Sequence, residues 1–243
     1  MPAVPTPILK SYEVTSVDRK EVLRYLGYRG QEVTPELDAR LDEAIARCLS
    51  IGKPRASLAT FDIAGREELP DGTPQVDLKG TALVLQGKSM RRHMDGAVRV
   101  GVLAVTIGMG VERELKRLSL TDHLGQVLFD AAATTMVERA ADAAEATLVG
   151  MAARDGLYTN FRFSPGYGDM PMTTQPVLLD ALDARRRLGI TLSPTLLMTP
   201  TKSVTAVLGM FTTPQKSTHA SCADCFCRAF CNLRATTGRT CHD

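Results

Sequence analysis

The chain contains no tryptophan, and aromatic residues make up only 5% of its 243 residues. Proteins that bind single-stranded nucleic acid usually stack bases on aromatic side chains, so this composition argues against such a platform. Neither sign of charge dominates, because 29 basic residues stand against 27 acidic ones, for a formal net charge of +2. We therefore expect neither nucleic acid nor an anionic membrane surface as a partner.

Long apolar runs and a secretion signal are also missing. No stretch approaches the ~18 apolar residues that a membrane-spanning helix requires. The first ten residues include three prolines and no apolar signal core. These absences predict a cytoplasmic protein. A composition of 44% hydrophobic and 23% charged residues is typical of a globular chain that buries its own core.

Cysteine is scarce until the end of the chain, where five cysteines fall within the last 22 residues. The first four are closely spaced: Cys222, Cys225, Cys227 and Cys231. Four thiolates can complete a tetrahedral zinc site or an iron–sulfur cluster, although these gaps match neither the common zinc-ribbon nor the ferredoxin spacing. A disulfide set and a group of loose thiols are the alternatives. The sequence therefore predicts a domain over residues 1–213 and a cysteine-rich tail over 214–243.

The hydrophobic pattern mixes helices and strands without regular alternation. Thr34 followed by Pro35 is typical of an N-cap with proline in the first turn of a helix, and Gly52 is predicted to end that helix. Further helices are predicted over 111–118, 121–151 and 175–188, and strands over 57–63, 82–86 and 98–107, with a strand, turn and strand over 195–211. This arrangement favours an α+β fold, with a mixed or antiparallel sheet flanked by helices, over a doubly wound sheet.

A loop rich in glycine and proline separates two of these helices, and residues 162–171 read Arg-Phe-Ser-Pro-Gly-Tyr-Gly-Asp-Met-Pro. Arg162 can clamp a carboxylate with two parallel hydrogen bonds. Pro165 and Gly166 fit a type II turn that exposes backbone groups. Tyr167 adds a flat face and a hydroxyl. The loop suits a small zwitterion that carries an aromatic base; the alternative is a structural Pro-Gly turn pinned by an arginine.

Two other polar groups accompany this loop in the sequence. The predicted long helix places Leu124, Leu128, Ala131 and Thr135 on one face, and the same spacing leads to Glu138, for which a solvated carboxylate is the alternative reading. A small basic cluster precedes Asp95-Gly96, and we interpret it as a solvated turn or helix end. Its members are Lys88, Arg91, Arg92 and His93.

The residues Arg162, Pro165, Gly166, Tyr167 and Pro171 match a family signature. In them the chain resembles the S-adenosylmethionine-binding activation domain of cobalamin-dependent methionine synthase, over roughly residues 8–212. In that family S-adenosylmethionine remethylates cobalamin that has drifted to cob(II)alamin, after an electron has reduced the cobalt. The resemblance implies that the protein contributes positioning, while the cofactor carries the hard chemistry.

The resemblance also implies roles for individual residues. Arg162 would hold the carboxylate or the nearby backbone of S-adenosylmethionine, and Glu138 would meet its ammonium group. The backbone from Ser164 to Gly166 would receive the adenine. Tyr167 would lie between the ligand and the corrin ring. In the full-length cobalamin-dependent methionine synthase, a later hairpin supplies another tyrosine to the site. No tyrosine follows Tyr167 in this chain.

The modules that would accompany this domain in the long enzyme are missing. The nearest approach to the cobalt-ligating Asp-x-His-x-x-Gly motif is residues 122–125, which have the wrong spacing and resemble a helix cap. The chain has no room for the homocysteine and folate barrels of about 250 residues each. We therefore expect a methyltransferase component with little activity alone, which meets cobalamin on a separate methionine synthase core protein.

Electrons for that reaction would come from a flavodoxin- or ferredoxin-type donor, and an iron–sulfur cluster in the tail would be a local source. Two other functions stay open at this point. The client could be a different corrinoid methyltransferase. The chain could instead be a metal–sulfur electron-transfer protein or metallochaperone whose loop at Arg162 is only structural.

Overall fold

The computed structural model of the protein describes residues 5–215 and is built on antiparallel strand pairs. Seven strands form the main sheet in the order β4-β3-β2-β5-β9-β6, with β1 paired to β2, and β7 pairs with β8. The strands are β1 Ile8–Ser11, β2 Arg55–Glu68, β3 Pro74–Leu78, β4 Val84–Gln86, β5 Arg99–Thr106, β6 Tyr158–Thr159, β7 Thr191–Leu192, β8 Met198–Thr199 and β9 Ser203–Phe211. The helices are α1 Arg19–Tyr25, α2 Pro35–Ile51, α3 Lys88–His93, α4 Met109–Thr121, α5 His123–Arg154, α6 Thr174–Ala181 and α7 Ala184–Leu188. The predicted α+β fold with an antiparallel sheet is confirmed.

Strand β2 is longer than the predicted strand over 57–63 because it pairs with two different strands along one of its edges. Its first residues pair with β1, and its last residues pair with β3 beyond a register shift between Ile63 and Gly65. Such an irregularity bends a strand and increases its twist. The opposite edge of β2 pairs with β5 over eight residues.

Helices cover both faces of the sheet, and β5 lies between them. Leu103 and Val105 pack into the core formed with α2, α4 and α5. Val100 and Val102 point to the other core, which includes residues of α6 and α7. A strand buried on both faces needs apolar residues at successive positions, which accounts for the continuous apolar run over 98–107.

Local signals mark the helix starts as the sequence predicts. The Thr34 hydroxyl accepts a hydrogen bond from the N–H of Leu37, and Pro35 occupies the first turn of α2. Asp122 caps α5, since its Oδ1 accepts from the N–H of Gly125 at 3.0 Å. The interpretation of residues 122–125 as a helix cap is thus confirmed.

The single helix predicted over 175–188 is wrong, because two helices occupy that stretch. Asp183 separates α6 from α7 and adopts a left-handed backbone conformation with φ of 49°. The carbonyl of Leu182, which a continuous helix would pair with residue 186, accepts instead from the hydroxyl of Ser57 at 2.7 Å. The contact with β2 therefore stabilises the break.

The last two long-range expectations concern strand pairing and membrane-spanning helices. The predicted strand, turn and strand over 195–211 is present as β8 and β9, but β8 pairs with β7 and not with β9.

Within residues 5–215, no helix is long and apolar enough to cross a membrane.

Candidate functional site

Helix α5 presents three carboxylates along one side. Glu138, Asp142 and Glu145 are spaced by four and three residues, which places them one above another on a helix. On the same helix Leu128, Ala131 and Thr135 are buried, as the predicted face requires, whereas Leu124 in the first turn is exposed. The three carboxylates therefore lie beside the buried face of the helix and are themselves partly exposed.

Arg162 lies against this row and bonds to every member of it. Its Nη2 donates to Glu138 Oε2 at 2.8 Å. Its Nη1 donates to Asp142 Oδ1 at 2.6 Å and to Glu145 Oε2 at 2.8 Å. The structure therefore brings together Arg162 and Glu138, the two residues predicted to hold the polar end of the ligand.

The electrostatics of this cluster favour a cationic ligand that also carries a carboxylate. Burial on its own lowers the pKa of Arg162, but the hydrogen bonds and charges of Asp142, Glu138 and Glu145 outweigh it, so that the pKa is raised. One cation among three carboxylates has a net charge of about −2 if all are ionised. Of the five N–H groups of a guanidinium, three are used in these bonds, which leaves Nε–H and one N–H of Nη2 without an acceptor among residues 5–215.

The chain around Arg162 is fixed to the sheet and to α3. Phe163 forms an antiparallel bridge with Val207 of β9, with both N–H to O distances at 2.8 Å. His93, at the end of α3, donates from Nε2 to the carbonyl of Phe161 at 2.8 Å. Its ring contacts Phe161 and Phe163, with centroids 4.5 and 5.1 Å away. Arg162 therefore lies between two anchored neighbours.

The basic cluster lies at a helix end, as one of its two interpretations requires, but His93 is not solvated. The cluster forms α3, but the His93 ring is largely enclosed, and burial lowers its pKa to about 4, against the opposing effect of the hydrogen bond to Phe161. A neutral ring at ordinary pH packs between the two phenylalanines without an unpaired charge.

The loop after Phe163 contains the predicted turn. The Ser164 carbonyl accepts from the N–H of Tyr167 at 3.1 Å, and Gly166 has φ of 89°, which agrees with a type II turn. The N–H of Gly166 donates to the Met170 carbonyl at 2.9 Å. Within residues 5–215 the carbonyls of Pro165 and Gly166 accept no backbone hydrogen bond, and Gly166 is exposed whereas Pro165 is buried. The carbonyl of Gly166 is therefore the one available to a ligand.

Tyr167 occupies the tip of this loop with its side chain mostly exposed, at 63%. Its ring meets Phe163 edge-on with centroids 6.4 Å apart. An exposed aromatic ring at the mouth of a site can contact a flat partner, as the resemblance implies for Tyr167.

A tyrosine from α1 also approaches this region, which the sequence did not indicate. Tyr25 is partly exposed, and burial together with the negative charge of Glu138 raises its pKa. With Thr134 of α5, one turn before Glu138, it lines a cleft of about 260 Å³. The guanidinium of Arg24 lies 4.4 Å from the centre of its ring.

The residues predicted to bind a metal lie outside the described part of the chain. Within residues 5–215 no group of three or more histidine, cysteine, aspartate or glutamate side chains is arranged to hold a metal ion. Cys48 is buried there in the core. The four predicted ligands, Cys222, Cys225, Cys227 and Cys231, lie beyond residue 215.

Comparisons with known proteins agree with the fold. A family model described as vitamin B12 dependent methionine synthase, activation domain, matches residues 90–224, more than half of the chain. The crystal structure of the MetH reactivation domain bound to AdoHcy is similar in fold, with a TM-score of 0.61 and 16% identity, covering 88% of this chain and 81% of that one. None of the curated proteins compared with the chain matches it.

Proposed function

The chain belongs to the family of vitamin B12 dependent methionine synthase activation domains, and on that premise we propose that it binds S-adenosylmethionine between α5 and the loop that begins at Arg162. The proposed role is to support the reductive methylation of cob(II)alamin to methylcobalamin on a separate protein. Cobalamin supplies the nucleophilic cobalt when it is bound, and the residues of this chain bind and orient the methyl donor.

The pairing of Arg162 with three carboxylates is the observation that carries this proposal. S-adenosylmethionine has a sulfonium, an ammonium and a carboxylate, so its net charge opposes that of the cluster. The two remaining N–H groups of Arg162 are the number that a bidentate carboxylate needs. Glu138 and Asp142 are the more exposed acids, at 42% and 58%, and can accept from the ammonium group.

The loop offers the complementary surface for the nucleoside end. The backbone carbonyls of the loop, first of all that of the exposed Gly166, can accept from the exocyclic amine of adenine. Tyr167 projects beyond them and would meet the corrin ring of an incoming partner. The AdoHcy recorded in the similar MetH reactivation domain structure is consistent with a nucleoside ligand of this class.

Calorimetry with S-adenosylmethionine tests the proposal. We expect Arg162→Ala to weaken binding at least about tenfold, since charge-assisted hydrogen bonds are lost. Arg162→Lys keeps the charge but not the planar fork, and it should also bind more weakly. Arg99→Ala, which removes an arginine paired with Asp62 and Asp155, is the matched control and should bind as the wild type does. Absence of binding to the folded wild-type protein would exclude the proposal.

The client protein and the electron donor need a second experiment. The chain is mixed with a cobalamin-binding methionine synthase core, S-adenosylmethionine and a reduced flavodoxin or ferredoxin, and the absorbance of cob(II)alamin is followed. We expect conversion to methylcobalamin only when every component is present. If a different corrinoid methyltransferase is reactivated and the methionine synthase core is not, the client is that enzyme.

The cysteine-rich tail remains a sequence prediction, and we propose that it holds zinc or an iron–sulfur cluster close to the site of electron transfer. Metal analysis and visible absorbance of anaerobically prepared protein test this. We expect bound metal in the wild type and its loss in the double variant Cys222→Ser, Cys225→Ser. A preparation free of iron and zinc would contradict the prediction. If that variant abolishes activity in the cobalamin assay, and if adding S-adenosylmethionine does not change the activity of the wild type, the chain is an electron-transfer or metal-carrying protein.

A further inference from the structure

Glu145 contacts Arg162 twice, unlike the other two acids of the cluster. Its Oε1 accepts from the backbone N–H of Arg162 at 3.1 Å, and its Oε2 accepts from Nη1 at 2.8 Å. Glu138 and Asp142 each bond only to the guanidinium. One carboxylate therefore holds both the backbone and the far end of the same arginine side chain.

The backbone contact has a reason in the strand geometry. The N–H groups of Asn160 and Phe163 donate to carbonyls of β9. The N–H of Arg162 has no carbonyl of β9 as its acceptor and bonds to Glu145 on α5. The contact is partly buried, and an N–H withdrawn from water without an acceptor is costly, so Glu145 stabilises the backbone at Arg162 as well as the ion pair.

The three acids also differ in exposure. The Glu145 side chain is 20% exposed, close to the 22% of Arg162, whereas Glu138 and Asp142 are at least twice as exposed. The two exposed acids can turn toward a ligand. Glu145 is enclosed and engaged at both of its oxygens, so it is poorly placed to bind the ligand itself.

We infer that Glu145 is a positioning residue that fixes Arg162 for the carboxylate of the methyl donor, an inference that rests on the proposed function. A long, flexible arginine side chain loses rotamer entropy when it is immobilised. Glu145 holds that side chain in place before the ligand arrives, so less entropy is lost on binding. The remaining N–H groups of Arg162 then face the ligand in a fixed orientation.

The test compares two ligands that differ only in the carboxylate: S-adenosylmethionine and its decarboxylated form. In Glu145→Gln the amide oxygen can still accept from the backbone N–H, but the amide NH₂ faces Nη1 and cannot accept from it. We expect affinity for S-adenosylmethionine to fall about tenfold, as for a lost charge-assisted bond. The decarboxylated ligand, which has no carboxylate for Arg162 to hold, should lose only the smaller share that follows from removing one negative charge from the cluster.

Equal weakening of both ligands would show that Glu145 only supports the fold, and no change for either would show that Arg162 needs no such support. Either result overturns the inference while the proposed function stands. Absence of binding of either ligand to the wild type would instead remove the proposed function and the inference with it.

The matched control is Glu114→Gln. Glu114 is another enclosed acid, with a side chain 9% exposed, and it is paired with Arg47 and Arg117 away from the site. This variant should lower the unfolding temperature without changing either affinity. If Glu145→Gln does not fold, Glu145→Asp serves in its place. Its shorter side chain cannot keep both contacts with Arg162, so it too should selectively weaken S-adenosylmethionine.

Discussion

Asp169 accepts a 2.7 Å hydrogen bond from the backbone N–H of Lys88, 81 residues earlier in the chain. Its second oxygen accepts from the N–H of Ser89 at 2.9 Å. These N–H groups belong to the first turn of α3, which lacks a capping side chain of its own. The loop of the candidate site therefore caps a helix and is held by it in return.

Replacing Asp169 by alanine should affect stability and ligand affinity together. Loss of a helix cap costs about 1 kcal/mol of the free energy of unfolding. Because the loop loses its attachment to α3, affinity for S-adenosylmethionine should also fall. Chemical denaturation and calorimetry measure the two effects. Asp71→Ala, which removes an acid that accepts from the N–H of Thr73 in an exposed turn, should leave the affinity unchanged. Unchanged affinity in Asp169→Ala would show that the loop does not depend on this contact.

Gly166 offers a second way to disturb the loop. It has φ of 89°, and a Cβ there would lie 2.6 Å from Sδ of Met172. Gly156, with φ of 71° and no atom within 4 Å of a Cβ, is its matched control. Both alanine variants should lose about 1 kcal/mol or more of stability from the left-handed backbone. Only Gly166→Ala should also weaken S-adenosylmethionine in calorimetry; equal affinities in the two variants would argue against a ligand at this turn.

The parts of the site that the sequence predicted are those with local causes. The turn at Gly166 follows from a Pro-Gly pair. The period of α5 leads to Glu138, but the role expected of Glu138 comes from the family resemblance. The resemblance implies that Arg162 and Glu138 hold the same ligand, but nothing in the sequence shows that Asp142 and Glu145 also bond to Arg162. The contacts of Arg162 with α5 join segments 17 to 24 residues apart through the packing of the sheet.

The failures of prediction elsewhere have the same origin. The break at Asp183 carries neither glycine nor proline, and it depends on the hydrogen bond from Ser57 in a distant strand. His93 resembles a solvated cation beside its basic neighbours, but the aromatic residues that enclose it lie about 70 residues later. Helix period and turn chemistry are local properties, whereas enclosure depends on tertiary packing.

Glu138 should discriminate between the charged methyl donor and its neutral thioether product. S-adenosylmethionine carries a sulfonium that S-adenosylhomocysteine lacks, and the acids around Arg162 favour the extra positive charge. We expect Glu138→Gln to weaken both ligands, because both have an ammonium group, and to weaken S-adenosylmethionine more. Competition calorimetry at low and high salt measures the difference, which should shrink with salt. Equal losses for the two ligands would place the sulfonium away from Glu138.

His93 should make the stability of the protein depend on pH in mildly acidic solution. Burial lowers its pKa from the usual 6.5 to about 4 in the folded state, so between these values the unfolded chain binds more protons at this residue. Stability from the neutral ring is therefore complete above about pH 6.5 and is lost as the pH falls toward 4, by at most about 3 kcal/mol. Chemical denaturation between pH 4 and 8 measures this for the wild type and for His93→Gln. The variant should be less stable at pH 8, since its contacts with Phe161 and Phe163 are lost, but its stability should change less between pH 6.5 and 4. Parallel pH profiles for the two proteins would mean that His93 takes up a proton as readily in the folded state as in the unfolded chain.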